Sequence, residues 1–154
     1  MKKRITVVGG GAWGTALAVQ AVRAGEDVEL ILRNPELADR INTKGENDLY
    51  LPGVALPGAL RATTNYDGLR ESDAVLLVTP AQHLRETLTK LAAHWTDGLP
   101  AVICCKGIEK QTGALMAQVV AETLGNVPVA VLSGPTFAQE VAGRKGVVLG
   151  EGVG

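Results

Sequence analysis

The most constraining feature of this sequence lies at residues 5–18, where a short apolar run breaks into spaced glycines and then into helix-forming residues. Residues 5–8 are apolar and mostly β-branched, a pattern typical of a buried parallel strand. Gly9, Gly11 and Gly14 follow in the spacing GxGxxG, and residues 16–18 favour a helix. The unpaired N–H groups and the dipole at the start of a helix attract an anion. The stretch therefore predicts a turn that binds a pyrophosphate.

The three glycines have separate predicted roles in that turn. Gly9 permits the tight turn, Gly11 lets the backbone approach the phosphates, and Gly14 allows the helix to pack closely on the strand. The alternative is a glycine-rich turn that binds nothing. The glycine spacing alone is weak evidence for a pyrophosphate site. A strand before it, a helix after it and a second strand at the right distance make that evidence stronger.

Length and composition narrow the class of protein. The 154 residues suffice for one α/β domain, and 46% hydrophobic with 20% charged residues indicate a globular chain. A net charge of −1 gives no electrostatic reason to expect nucleic acid or an acidic membrane surface. Aromatic residues make up 3%, which disfavours stacking on single-stranded nucleic acid. Composition and charge therefore give no reason to expect a nucleic-acid or membrane partner.

Several features bear on compartment and metals. Adjacent Cys104 and Cys105 would form a strained disulfide, so buried, reduced thiols are expected. The basic N-terminus superficially resembles a secretory signal. The apolar segment behind it is short and rich in glycine, so we do not expect a signal peptide. No run is long enough to span a membrane, which favours the cytoplasm. His83 and His94 lack partners at metal-ligand spacing, so no metal is expected.

The end of the second predicted strand, residues 27–32, bears on cofactor choice. Sites specific for NAD carry Asp or Glu about twenty residues beyond the glycines, where it binds the ribose 2′-hydroxyl. Arg33 stands there instead, and it can contact a 2′-phosphate. NADP, or both cofactors, is thus favoured over NAD alone. Alternatively, Arg33 stacks on adenine or faces solvent. Asn34 is the predicted N-cap of a short helix over residues 35–41.

Strands and helices alternate along the rest of the chain. The pattern predicts an α/β fold of the Rossmann type, a doubly wound and mostly parallel sheet with helices on both faces. Residues 42–58 are rich in Gly, Pro and Asn and predict a long irregular segment. Further strands are predicted at residues 60–64, 73–79, 101–105 and 127–132, a helical turn at 67–71, and helices at 80–95 and 115–124.

Unusual residues follow the carboxyl ends of the predicted strands, the edge at which open α/β sheets bind ligands. They are residues 9–14, Arg33, residues 80–82, Lys106 and residues 133–136. Lys106 is expected to be partly desolvated, and its ammonium can then polarise a carbonyl. An ordinary surface lysine is the alternative. Residues 133–136 read equally well as a helix N-cap.

Five segments, in this order and spacing, resemble bacterial NAD(P)-dependent glycerol-3-phosphate dehydrogenase. They are residues 9–18, residues 47–53 (Asn-Asp-Leu-Tyr-Leu-Pro-Gly), residues 78–82 (Val-Thr-Pro-Ala-Gln), residues 105–109 (Cys-Lys-Gly-Ile-Glu) and residues 132–141 (Leu-Ser-Gly-Pro-Thr-Phe-Ala-Gln-Glu-Val). The resemblance covers residues 4–143 and implies reversible reduction of dihydroxyacetone phosphate to sn-glycerol 3-phosphate, a precursor of phospholipids.

The resemblance also implies roles for individual residues. Lys106 would contact both cofactor and substrate and orient the substrate for catalysis, and Gly134 and Thr136 would contact the substrate. Ala12 is often serine in the family, so a side-chain contact with phosphate is lost there. Together with the residues at the strand ends, the predicted cofactor site comprises Gly9, Gly11, Ala12, Trp13, Gly14, Arg33, Asn34, Pro80, Lys106 and Ala138.

The last residues depart from the family pattern. We expect a cofactor-binding domain at residues 1–143 and a divergent or truncated tail at residues 144–154, without the C-terminal substrate domain. In the family, that domain supplies the lysine that transfers the proton and the residues that hold the substrate phosphate. The chain is therefore expected to bind dinucleotide but to turn over poorly, and the full-length enzyme is a possible homodimer.

Two other functions stay open. One is a related dehydrogenase of the 3-hydroxyacid or 6-phosphogluconate type, against which residues 106–109 and 50–53 argue. The other is a module that senses nucleotides without catalysis, which suits a bare dinucleotide-binding domain.

Overall fold

A six-stranded parallel sheet forms the centre of the protein, which a computed structural model describes at residues 2–133 and 142. The strand order is β3-β2-β1-β4-β5-β6, and all five pairings between these strands are parallel. The strands are short because β-branched and apolar runs in the sequence are short. Their bounds are β1 Arg4–Val8, β2 Asp27–Ile31, β3 Arg61–Thr63, β4 Ala74–Leu77, β5 Ala101–Ile103 and β6 Val129–Val131.

Four α-helices and three 3₁₀ turns connect the strands. The helices are α1 Ala12–Arg23, α2 Pro35–Lys44, α3 Leu84–Leu91 and α4 Met116–Leu124. The 3₁₀ turns span Asp67–Glu71, Ala81–His83 and Ala92–His94. In the part of the chain that the structure describes, no helix is both long and apolar enough to cross a membrane.

The apolar side chains divide into two cores, one on each face of the sheet. Val7 and Val8 are neighbours in β1, so their side chains point to opposite faces. The core that contains Val7 receives side chains from α1 and α2, and the core that contains Val8 receives those of α3 and α4. Helices therefore cover both faces, and the predicted doubly wound α/β fold is confirmed.

Helix α2 is longer than predicted. It begins after Asn34, whose side chain accepts hydrogen bonds from the N–H groups of Glu36 and Leu37, as expected of an N-cap. It continues past the predicted end to Lys44 and stops at Gly45, which has a φ of 65°. The side chain of Asn42 pairs with both backbone groups of Ala62 in β3 at 2.8 Å, so a tertiary contact outweighs its weak helix propensity. The irregular segment therefore starts at Gly45.

Strand β5 ends at Ile103, two residues before its predicted end, and this affects the cysteines. Both cysteines are free thiols, as expected, but only Cys104 is buried and Cys105 is half-buried. Burial, and secondarily Cys105, raises the pKa of Cys104 to about 12. Burial also raises the pKa of Cys105. Both thiols therefore stay protonated at neutral pH. The predicted helix over residues 80–95 is α3 with a 3₁₀ turn at each end.

Candidate functional site

The carboxyl ends of the strands lie along one edge of the sheet, because all the pairings are parallel. Backbone hydrogen bonds join the ends of neighbouring strands: Gly9 to Ile31 at 2.9 Å, Val78 to Val8 at 2.8 Å, Cys104 to Leu77 at 2.9 Å and Leu132 to Ile103 at 2.8 Å. The structure thus brings residues 9–14, Arg33, residues 80–82, Lys106 and Ser133 to one edge. The chain runs from β1 to β2 and β3 on one side and from β4 to β6 on the other, so the glycine-rich turn after β1 lies at the topological switch point.

Two of the three spaced glycines, Gly9 and Gly14, are required by contacts within the protein. Gly9 has a φ of 121°, and a Cβ there would lie 2.9 Å from the backbone carbon of Val78. A Cβ on Gly14 would lie 1.9 Å from the carbonyl oxygen of Gly9, so α1 packs directly against the turn. These contacts match the turn and packing roles expected of Gly9 and Gly14.

Gly11 differs, because a Cβ there would meet no atom of the described residues within 4 Å. It is the N-cap of α1, with no side-chain cap and no acidic residue in the first turn. The positive end of a twelve-residue helix therefore faces an open space without a side-chain acceptor. This arrangement fits the pyrophosphate of a dinucleotide. Half-buried Ala12 and Trp13 form the first turn beside it.

Two residues that support the turn carried no role in the sequence interpretation. A Cβ on Gly10 would lie 2.6 Å from the Cβ of Leu32, so this position also needs glycine. Asn47 is fully buried, and its side-chain amide donates to the carbonyl of Gly10 and to the hydroxyl of Thr15. The only sequence signal for Asn47 was its place in the residue 47–53 motif, because its partners are more than thirty positions away.

Arg33 and Asn34 follow β2, beside the glycine-rich turn. Arg33 is exposed, and its guanidinium makes no hydrogen bond or ion pair with residues 2–133. It is therefore available to an anionic group. The side-chain oxygen of Asn34, Oδ1, accepts from the N–H of Glu36 at 3.0 Å and from that of Leu37 at 3.2 Å, which leaves the side-chain NH₂ group for other partners.

The expectation that Lys106 is partly desolvated is wrong for this chain. Lys106 is exposed because β5 ends three residues earlier, which puts the lysine on a loop beyond the edge of the sheet. The side chain of Gln82, in the 3₁₀ turn that precedes α3, holds this loop. It donates to the carbonyl of Ile108 and accepts from the N–H of Lys110, both at 2.9 Å. The position of Lys106 is thus tied to residues 80–82, which follow β4 and include the exposed Pro80.

An ion pair fixes the far end of the same loop to α3. Glu109 is 6% exposed, and both of its oxygens accept from Arg85 at 2.9 to 3.1 Å. The hydroxyl of Thr112 donates to Glu109 at 2.5 Å, and Arg85 also bonds Glu122 at 2.5 Å. The hydrogen bonds from Arg85, and then that from Thr112, lower the pKa of Glu109. The loop that carries Lys106 therefore has a charged anchor.

Three predicted site residues, Gly134, Thr136 and Ala138, lie outside the described residues, as does the predicted domain boundary after residue 143. Ser133 is exposed and follows β6 at the same edge of the sheet.

The sequence resembles known proteins over most of its length. Residues 4–148 match the family model described as NAD-dependent glycerol-3-phosphate dehydrogenase N-terminus. A glycerol-3-phosphate dehydrogenase named as using NAD(P)+, from Paramagnetospirillum magneticum, is 56% identical over 140 residues, which cover 91% of this chain and 51% of that protein. Its counterpart from Rhodospirillum rubrum is 52% identical over 139 residues, which cover 90% and 40%. The chain spans about half the length of these relatives or less.

Solved structures of other proteins share the fold of this chain. Glycerol-3-phosphate dehydrogenase from Coxiella burnetii superposes with a TM-score of 0.85 at 34% identity, covering 92% of this chain and 43% of that one. A ketopantoate reductase from Ralstonia eutropha JMP134, at 18% identity and a TM-score of 0.68 over 84% of this chain and 41% of that one, shares the fold alone. The chain belongs to the glycerol-3-phosphate dehydrogenase family and corresponds to its N-terminal part.

Proposed function

We propose that this chain is the dinucleotide-binding part of an enzyme that interconverts dihydroxyacetone phosphate and sn-glycerol 3-phosphate with NADP or NAD. The observation that carries the proposal is the 56% identity over 140 residues with a relative of that name. The uncapped N-terminus of α1 at the switch point of the sheet supports it independently. The reaction would supply a precursor of phospholipids.

The order of residues along the sheet edge supports one direction for the cofactor. We propose that Gly9, Gly11 and Gly14, with the first turn of α1, hold the pyrophosphate. Arg33 and Asn34, after β2, would then lie at the adenosine end, where the free guanidinium favours a 2′-phosphate. Pro80 and Lys106, after β4 and β5, would lie at the nicotinamide end, because these strands are on the other side of β1.

The chemistry needs a hydride and a polarised carbonyl. A bound nicotinamide cofactor supplies the hydride that reduces the substrate carbonyl. The exposed ammonium of Lys106 would orient or polarise that carbonyl, and the loop that carries it is held by Gln82 and Glu109. By the family pattern, Gly134 and Thr136 would contact the substrate and Ala138 the cofactor.

Thermal unfolding with added ligands tests the function and separates it from the alternatives. We expect NADPH and NADH to raise the Tm, and dihydroxyacetone phosphate to raise it further only when a dinucleotide is present. Synergy with 3-hydroxyisobutyrate or 6-phosphogluconate instead would indicate a related dehydrogenase. A response to nucleotide with no substrate synergy would indicate a sensor. No response to either dinucleotide would overturn the proposal.

The activity of the isolated chain is a separate proposal. We propose that the 154 residues alone bind dinucleotide but reduce dihydroxyacetone phosphate slowly or not at all, because the relatives with this activity are about twice as long. Robust oxidation of NADPH by the purified chain in the presence of dihydroxyacetone phosphate would contradict this.

Assembly and location are also proposed from the family resemblance. We propose that the full-length enzyme is a homodimer in the cytoplasm, with no membrane insertion. Light scattering of the full-length enzyme and fractionation of the cells that produce it would check the two points, and a monomer or a membrane-bound pool would contradict them.

A further inference from the structure

Asn47 is a buried polar side chain that connects a distant loop to the glycine-rich turn. Its exposed fraction is 0%, and its Nδ2 donates to the carbonyl oxygen of Gly10 at 3.0 Å and to Oγ1 of Thr15 at 2.8 Å. Thr15 in turn donates to the same carbonyl at 3.4 Å. A fully buried amide is retained only when its hydrogen bonds are satisfied, so this contact is specific.

The loop that contains Asn47 is itself anchored, so Asn47 acts as a fixed point. Its Oδ1 accepts from the N–H of Tyr50 at 3.2 Å, and its backbone carbonyl accepts from the N–H of Leu51 at 2.9 Å. Leu51 is 1% exposed and packs in the core that lies under α1 and α2. The side-chain amide of Asn47 is therefore aimed at the turn by its own loop.

The hydrogen bond to Gly10 determines how the next peptide N–H points. The peptide between Gly10 and Gly11 is trans, so the N–H of Gly11 points opposite to the Gly10 carbonyl that Asn47 holds. Within the part of the chain that is described, this N–H has no hydrogen-bond partner, and the space around Gly11 is open. It is thus directed away from Asn47 and free to donate to a ligand.

We propose that Asn47 is a positioning residue for the pyrophosphate site: by holding the Gly10 carbonyl, it sets the Gly11 N–H in the orientation that a dinucleotide pyrophosphate requires. This inference rests on the proposed function. Asn47 itself does not contact the ligand. Without it, the Gly10 carbonyl keeps only the longer hydrogen bond from Thr15 at 3.4 Å, and glycine on both sides of the Gly10–Gly11 peptide restrains its rotation little.

The test compares Asn47→Ala with Asn42→Ala in the full 154-residue chain. Asn42 also pairs its amide with backbone groups, those of Ala62 at 2.8 Å, but at the outer edge of the sheet. Both substitutions are expected to lower the Tm. Both variants are then titrated with NADPH and NADH at a temperature well below their Tm values. The dissociation constant should rise about tenfold in Asn47→Ala only, because the Gly11 N–H would lose its hydrogen bond to the charged pyrophosphate.

A spectroscopic readout separates positioning from a general loss of stability. In the ligand-free chain, the amide resonance of Gly11 should shift in Asn47→Ala and stay in place in Asn42→Ala. Should Asn47→Ala not fold, Asn47→Leu, which fills the space of the amide but cannot donate to the Gly10 carbonyl, is expected to weaken dinucleotide binding and to shift the same resonance.

The two proposals fail in different ways. If the unaltered chain binds neither NADPH nor NADH, the proposed function is overturned and this inference with it. If the unaltered chain binds and Asn47→Ala, or Asn47→Leu in its place, binds as tightly, the inference alone is overturned. Equal weakening in Asn47→Ala and Asn42→Ala would also overturn it, since the effect would then be structural.

Discussion

Gly11 and Gly14 lie in one turn, yet they are glycine for different physical reasons. At Gly14 the protein leaves no room, because a Cβ would lie 1.9 Å from the Gly9 carbonyl oxygen. At Gly11 the protein leaves open space, and the φ of −73° and ψ of −172° suit any residue. Among the described residues nothing excludes a side chain there, so a ligand that approaches the backbone would account for glycine, beside the ordinary preference for glycine at an N-cap.

Alanine at the two positions should therefore separate stability from binding. We expect Gly11→Ala to change the free energy of unfolding by less than about 0.5 kcal/mol and to weaken NADPH binding. Gly14→Ala, by contrast, should lower the free energy of unfolding by about 1–3 kcal/mol. Chemical denaturation and a binding titration measure both quantities. Gly58→Ala, in an exposed loop where a Cβ meets nothing, is the control that should change neither. Unaltered NADPH affinity in Gly11→Ala would contradict a backbone–phosphate contact.

Arg33 should determine preference for NADPH over NADH. Because its guanidinium is exposed and has no partner within residues 2–133, Arg33→Ala should leave the Tm unchanged. We expect the dissociation constant for NADPH to rise about tenfold, as for a lost charge-assisted hydrogen bond, while that for NADH changes little. Arg70→Ala, another exposed arginine without a partner in that range, is the matched control. Equal losses for both cofactors would show that Arg33 does not contact the 2′-phosphate.

Lys106 should matter for turnover more than for dinucleotide affinity. In the full-length enzyme, Lys106→Ala should lower kcat/KM about a hundredfold, as for loss of one group that stabilises developing charge. The dissociation constant for the dinucleotide should change much less. Lys110→Ala, on the same exposed loop, serves for comparison and should leave both values near those of the unaltered enzyme. Unchanged kinetics in Lys106→Ala would refute the role.

Among the elements, α3 and the loop after β5 form a unit through Arg85 and Glu109. In the sequence, Glu109 is recognisable only as part of the residue 105–109 motif, and its partner Arg85 is 24 positions away. The ion pair could not be derived from local pattern, because helix periodicity shows which face of α3 is buried but not which charged residue it meets. The same limit applies to α2, whose end is set by Gly45 and by the contact of Asn42 with β3.

The lowered pKa of Glu109 predicts how the stabilisation depends on pH. Arg85 is its main cause. A carboxylate with a lowered folded pKa stabilises fully above its unfolded pKa of about 4.3, and the contribution is lost as the pH falls through the folded value. The difference in free energy of unfolding between the unaltered chain and Glu109→Gln should thus be constant from pH 7 to about pH 5 and shrink below it.

Chemical denaturation at several pH values measures this difference. Glu86→Gln removes an exposed i,i+4 pair with Lys90 and is expected to have a small effect at every pH. A Glu109→Gln difference that stays constant or grows below pH 4 would contradict the assignment of the ion pair.

Across the whole molecule, alternation of strands and helices was enough to predict the sheet, its covered faces and the edge at which the carboxyl ends of the strands meet. Strand order was not predicted, since short apolar runs resemble one another until they pair. The support behind the glycine-rich turn was missed for a related reason: Asn47 comes from a segment that reads as irregular, and Gly10 is constrained by Leu32 in the next strand. Contacts between distant segments are the information that local pattern lacks.

The two edges of the sheet differ in charge, which favours one of them for an anionic ligand. At the amino end, Arg4 is surrounded by Asp27 at 3.8 Å, Glu29 at 3.4 Å and Glu71 at 3.4 Å, and Asp73 bonds its backbone. These four carboxylates outnumber the two arginines that pair with them, Arg4 and Arg61, so this cluster disfavours a pyrophosphate. The carboxyl end offers the uncapped start of α1, Arg33 and Lys106.

Titration of the ¹⁵N-labelled chain with NADPH tests most directly whether a dinucleotide lies across the carboxyl edge of the sheet. We predict saturable shifts of the amide resonances of residues 9–14, Arg33 and Asn34, with smaller ones near Lys106. The resonances of Arg4, Asp27 and Asp73, at the opposite edge, should stay in place. Shifts centred on that opposite edge, or no saturable shift at residues 9–14, would contradict the account.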